Sequence, residues 1–384
     1  MKPPYLALLA PIVLLLAPLA AEAQLAVSSN DNKVRLDNGV NRMVPNAPPD
    51  TISVIDLKVS PPRVVAEIPV PGSVVGPPTS VAVAPDESIA LVTSSTRIDP
   101  NDAAKTVPDN RVSVIDLKAT PPTVLATLEA GRGAAGVSIN RQGTLALVAN
   151  RGEGTVSVFS IQGKTVTPVG KVTIADEKSG PSHPAFTPDG KMALLTRDGD
   201  NKISVLSIDG TKVEYTKRDL NAGLRPYGID VSSKGDFAAV ANIGAGQGDT
   251  DTVSLIDVRA RPPRVVDTIS VGQTPEGVKV SPDGAIIAAV VMNGSNKAKE
   301  SPFYNDNGKL VLLRASGMKL SKVAEAPIGH WSQGAAFTAD GKTILVGNMV
   351  EKDIQVFSWD GSALKEVARL KVNGGPAAVR TAEK

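Results

Sequence analysis

The 384 residues contain only two histidines and two tryptophans. Three of these four side chains, His183, His330 and Trp331, fall at or beside the start of a short Val/Ala-rich run. Arg132, Arg225, Tyr227, Glu276 and Gln333 fall at the same place in other such runs. A histidine near a carboxylate can serve as a general base, and an arginine can hold an anionic or carbonyl oxygen. On that chemistry His330 is the base, Glu276 its partner or an acid, and Arg132 and Arg225 the anion holders. The alternative is that these side chains satisfy backbone groups in connecting loops. The set therefore defines a candidate ligand-contacting rim. There is no cysteine, which excludes thiol catalysis, disulfides and Cys-ligated zinc. No Gly-x-Ser-x-Gly elbow and no His-Glu-x-x-His helix motif is present.

The elements that must position these residues are strands. From Tyr227 to Pro275 the chain reads as four short Val/Ile/Ala-rich runs, each bounded by Gly, Pro, Asp or Ser. One such unit alone would leave apolar faces bare and edges unpaired. Further copies begin at Thr79, Ala135, Ser182, Glu276 and Gln333. The turn after the first strand recurs at Glu87, Gly143, Gly190, Gly235, Gly284 and Gly341, at intervals of 45 to 57 residues. A seventh unit is split between the termini: Pro376–Thr381 matches a first strand, and Leu25–Ser29, Thr51–Leu57 and Val64–Val70 supply the other three. The fold class expected is all-β, a seven-bladed β-propeller of four-stranded blades, closed by pairing of the N- and C-terminal strands.

Residues 1–23 read as a signal peptide, with a short basic start, an apolar core over Leu6–Leu19 and a small-x-small site at Ala21-Glu22-Ala23. Residues 24–384 are expected to form a single propeller domain in the periplasm or outside the cell. No later segment is a candidate membrane span. The net charge of +2 is interspersed and offers no basic stripe for nucleic acid.

Several segments are similar to the YVTN-type repeat. They include Leu147–Val158 (LVANRGEGTVSV), Ala239–Asn242 followed by Thr252–Asp257, the Ser-Pro-Asp-Gly turn at 281–284, and the Ile269–Gly272 blade end. The chain departs from that repeat at its Tyr, which is Leu or Ala here. The resemblance covers essentially the whole mature chain. It implies kinship with lactonase-like and surface-layer-like propellers, and it leaves the activity open, since one fold hosts many functions.

Loops joining second to third strands, and each blade to the next, share one face of a propeller. The longest insertions, 38–50, 94–110, 243–251 and 292–308, all belong to that class. Two functions follow. The first is a binding or scaffold module that presents the loop-rich face to a protein partner or small ligand and acts as a monomer. The second is a lactonase- or lyase-type enzyme at the channel mouth. The sequence assigns no cofactor and no metal. Asp249 with Asp251, Asp198 with Asp200, and Asn305–Asn307 lack the spacing of a calcium loop and read as solvated turns. Trp359-Asp360 reads as a turn. The glycine-rich 244–248 stretch lacks the helix that a nucleotide loop needs.

Overall fold

The computed structural model describes residues 25–383. Its strands form seven four-stranded antiparallel sheets in a ring, with one short 3-10 turn at Glu177–Ser179. Blade 1 is the split one: Gly375–Thr381 pairs with Leu25–Asp31, followed outward by Thr51–Asp56 and Arg63–Pro69. Ser28 faces Val379 and Ser29 faces Ala378, so the two ends of the chain close the ring. Blades 2 to 7 follow in chain order, with innermost strands Val81–Val83, Ala134–Ile139, Pro181–Phe186, Pro226–Val231, Pro275–Val280 and Ser332–Phe337.

Burial follows position within the blade. A second strand such as Phe237–Asn242 is buried at every residue, because blades cover both of its faces. The outermost Arg63–Pro69 alternates exposed and half-buried residues, as a strand with one wet face should. Seven of the eight apolar clusters are the seams between neighbouring blades. Ala26 and Ile55 of blade 1 meet Ala336, Leu345 and Ile354 of blade 7 at the closing seam.

Two sequence devices recur. The tight turn after each inner strand needs a left-handed residue. Gly143, Gly190, Gly235, Gly284 and Gly341 supply it with φ between 63° and 75°, and Glu87 is the single side-chain-bearing exception at 55°. The asparagine that ends a second strand is the other device. Asn150 donates to Thr155 Oγ1 and Ser157 Oγ, Asn30 to Thr51 and Ser53, and Asn242 to Thr252 and Ser254, each at 2.8–3.0 Å. A buried amide thus ties the second strand to the third, which explains the Asn…Thr-x-Ser spacing seen in the sequence.

The axis is not an open channel. Gly76–Ser80, which leads into blade 2, is buried and crosses the ring. A Cβ placed on Gly277 of blade 6 would lie 2.9 Å from Pro78 Cγ, and one on Gly334 of blade 7 would lie 3.0 Å from Pro78 O. On the opposite side Thr79 O accepts the Val137 N–H of blade 3 at 2.9 Å. The segment is tethered upstream. Lys33 Nζ bridges Asp31 and Asp50 at 3.0 and 2.8 Å and donates to Gly72 O, while Asp31 accepts the Val74 N–H at 2.9 Å.

Candidate functional site

Long insertions do cluster on the face where the inner strands begin. Two of them carry hairpins, Val34–Asp37 with Val40–Met43 spanning the start of the 38–50 insertion, and Thr96–Asp99 with Asp102–Pro108 within 94–110. The tip of the first hairpin reaches blade 6: Asn38 donates to Glu300 Oε2 and accepts the Lys299 N–H, both at 2.9 Å. Phe303 in turn packs on Gly248, and Lys297 donates to Gly246 O. Blades 1, 2, 5 and 6 therefore carry tall loops. Blades 3 and 4 end in short turns, Arg151–Gly154 and Asp198–Asn201.

Where the rim is low, five polar side chains converge. Arg151 grips Asp198 with both terminal nitrogens, at 2.6 and 3.3 Å, and its guanidinium lies 5.5 Å from the centre of the Tyr227 ring. Arg225, whose backbone is left-handed at φ 55°, donates at 3.3 Å to Asp198 Oδ2, the oxygen that Arg151 Nη2 also holds. Burial would raise the Asp198 carboxyl, but the Arg151 and Arg225 charges and the hydrogen bonds from Arg151 and Ser182 together outweigh it and hold the group below the usual range. Glu276 is the fifth member. Its carboxyl accepts no hydrogen bond among the described residues. Burial pushes it up to about 8, opposed by Arg225 and assisted by Asp198. Burial also raises the Tyr227 phenol. The cluster borders the axial segment, since Gly76 faces Arg151 and Glu276 precedes the glycine packed on Pro78.

The other sequence candidates lie apart from this group. His330 Nδ1 meets Glu351 Oε1 at 2.6 Å, and the same carboxylate accepts the His330 backbone N–H; its partner is Glu351 and not Glu276. Trp331 is buried at φ 50° beneath the first hairpin, against Val74, Met292 and Met349. Gln333 is buried, with a long 3.5 Å bond to the Trp331 carbonyl. Arg132 is exposed and paired with Glu177 at 2.5 Å. His183 is fully engaged deeper in the ring. Ser138 Oγ meets Nε2 at 3.1 Å, and Nδ1 accepts the Ile229 N–H at 3.4 Å. Its burial, with Arg380 and Lys279 nearby, lowers the imidazole pKa well below the usual value.

Arg151 and Asp198 were not among the sequence candidates for this rim, and Asp198 was read as part of a solvated turn. That reading fails because its carboxylate is almost fully buried between two guanidinium groups. A signal was available. Arg151 follows the recurring asparagine that ends a second strand, and Asp198 holds the equivalent position in the next blade. Among the described residues, no three His, Asp or Glu side chains converge to hold a metal ion.

The family model described as Lactonase, 7-bladed beta-propeller, matches residues 162–321, a span that includes Asp198, Arg225, Tyr227 and Glu276. The chain is a seven-bladed propeller, similar to that family over this span. Its fold is similar to that of a putative 6-phosphogluconolactonase from Bacteroides uniformis, at 18% identity over 94% of this chain and 99% of that one, TM-score 0.68. The periplasmic gluconolactonase of Pseudomonas aeruginosa aligns at 17% identity over 94% and 99%, TM-score 0.66. A functionally unknown protein from Desulfotomaculum acetoxidans aligns at 15% identity over 94% and 99%, TM-score 0.67. No curated protein matches the chain. Among the described residues, no helix is long and apolar enough to cross a membrane.

Proposed function

We propose that this propeller hydrolyses a small cyclic ester at the low side of its loop face. The observation that carries the reading is the Glu276 carboxyl, free of hydrogen bonds and poised near 8, beside the Arg151–Asp198–Arg225 ion cluster. A general base or acid works best with a pKa near the working pH, and a guanidinium can stabilise the oxyanion formed at an attacked carbonyl. The Glu276 carboxylate takes a proton from water as the water oxygen adds to the lactone carbonyl carbon. The oxyanion faces Arg225. Collapse breaks the ring C–O bond, and the departing alkoxide takes the proton back from Glu276, leaving a hydroxy acid. The family match over this segment and neighbours named as lactonases support the reading.

The test is hydrolysis of five- and six-membered sugar lactones, followed by base consumption against the spontaneous rate. Glu276→Gln should lower kcat by about 10²-fold or more, while His330→Ala should stay close to the parent. Activity unchanged in Glu276→Gln, or absent with every lactone, would overturn it.

A second reading keeps the loop face as a binding surface. It is favoured by a cleft of about 650 Å³ between the two hairpins, lined by Val34, Val40, Met43, Val75 and Ala104. Export to the periplasm would follow from the leader expected at residues 1–23, which lies outside the described residues. Mass spectrometry of the mature chain would locate the cleavage.

A further inference from the structure

A small cavity lies at the other end of the axis, near the tight turns. It measures about 40 Å³ and is bordered by His183, Asp230, Arg141, Arg380 and Glu383. Five of the seven blades contribute charge or polarity there. Lys279 Nζ sits between Asp230 at 3.0 Å and Glu383 at 2.5 Å. Arg141 donates one bond to the Ser233 carbonyl at 3.0 Å.

Arg380 is the unexplained member. It is 7% exposed, borders the cavity, and carries no hydrogen bond or ion pair among the described residues. It feels Asp230 and Glu383 only at longer range, and both of those are already occupied by Lys279. Burial keeps His183 neutral, so it offers no compensation. Among the described residues, three cations, Arg141, Lys279 and Arg380, thus face two carboxylates. An uncompensated buried guanidinium is costly, and proteins ordinarily pair one.

We propose that this cavity is a binding site for one small monovalent anion, held by Arg380 with Arg141 on the cavity wall. A single charge balances the excess. A water needs roughly 10–15 Å³ of such space, so the cavity suits a chloride-sized ion and excludes a sugar acid. The site is distinct from the Glu276 cluster and does not rest on its assignment. Its position gives it a role in the fold. Arg380 lies on the C-terminal strand, opposite Val27 of the N-terminal one, so an anion here fastens the strand pair that closes the ring.

The test is the melting temperature of purified protein as chloride replaces methanesulfonate at constant ionic strength. The expected result is a saturable rise for the parent and no chloride dependence for Arg380→Gln. A parent that ignores chloride, or a variant that keeps the full rise, overturns the proposal. Should Arg380→Gln fail to fold, the parent crystallised with bromide decides. An anomalous peak against the Arg380 guanidinium supports the site, and a bromide-soaked crystal with no peak there rejects it.

Discussion

The carboxyl of Glu276 is held between burial, which drives its pKa to about 8, and the guanidinium of Arg225, which resists that rise. The folded state therefore grips this proton more tightly than the unfolded chain, where the usual value is 4.5. Stability from this group is fully present below 4.5 and is lost as pH rises through 8. Glu276→Gln keeps the neutral shape and cannot ionise. Its melting temperature should match the parent at pH 4 and exceed it at pH 9; a difference that is the same at both ends would mean that the proton is not held there. The rate should run the other way. A carboxylate acting as base makes kcat/KM climb with pH and level off above about 8. At this scale the sequence was a partial guide. Glu276, Arg225 and Tyr227 could be placed because each stands at the start of an inner strand. Arg151 and Asp198 stand at the ends of second strands, one connection away, and repeat alignment on the turn alone does not bring those positions to the rim. His330 looked like a base because it is rare, yet Glu351, only 21 residues on, captures it.

Elements explain why the rim has one low side. Hairpins and long loops rise from blades 1, 2, 5 and 6, and the Asn38–Glu300 contact locks two of them across blade 7. The strands, turns and terminal pairing were legible in the sequence because Val/Ile/Ala-rich runs and the turn after each first strand repeat. The axial segment was not. Gly76-Pro77-Pro78 occurs once, so no repeat marks it, and what it touches lies across the ring. Its fit is nonetheless specific. Gly277→Ala places a methyl group 2.9 Å from Pro78 Cγ, and overpacking of this kind costs about 1–3 kcal/mol. Pro78→Ala removes the opposing ring atoms. In urea unfolding, the Gly277→Ala/Pro78→Ala pair should be less destabilised than the sum of the single changes. Strict additivity would show that the two residues do not press on each other.

At the scale of the molecule, stability is a chain of nearest-neighbour seams, and a ring has one more seam than an open stack of the same blades. The extra seam belongs to blade 1. Gly375–Thr381 lies across Leu25–Asp31, and Val379 joins Ala26, Ile55, Leu345 and Ile354 in the closing cluster. Removing residues 375–384 would free the edge of the N-terminal strand, which is otherwise paired along its length, and would expose two apolar seams at once. The truncated chain should lose its cooperative thermal transition and elute as aggregate in size-exclusion chromatography. Loss of mass alone could produce that outcome, so a second chain is needed. A circular permutant beginning at Gly374, with residue 383 joined to Leu25 through a short linker, keeps every seam. It also turns the closing pair into a covalent hairpin, which the facing of Ala26 and Thr381 permits. The permutant should melt at or above the parent temperature as a single transition. A truncated chain that melts like the parent would show that the ring gains nothing from closure. A permutant that fails to fold would show that the two ends must meet as separate strands.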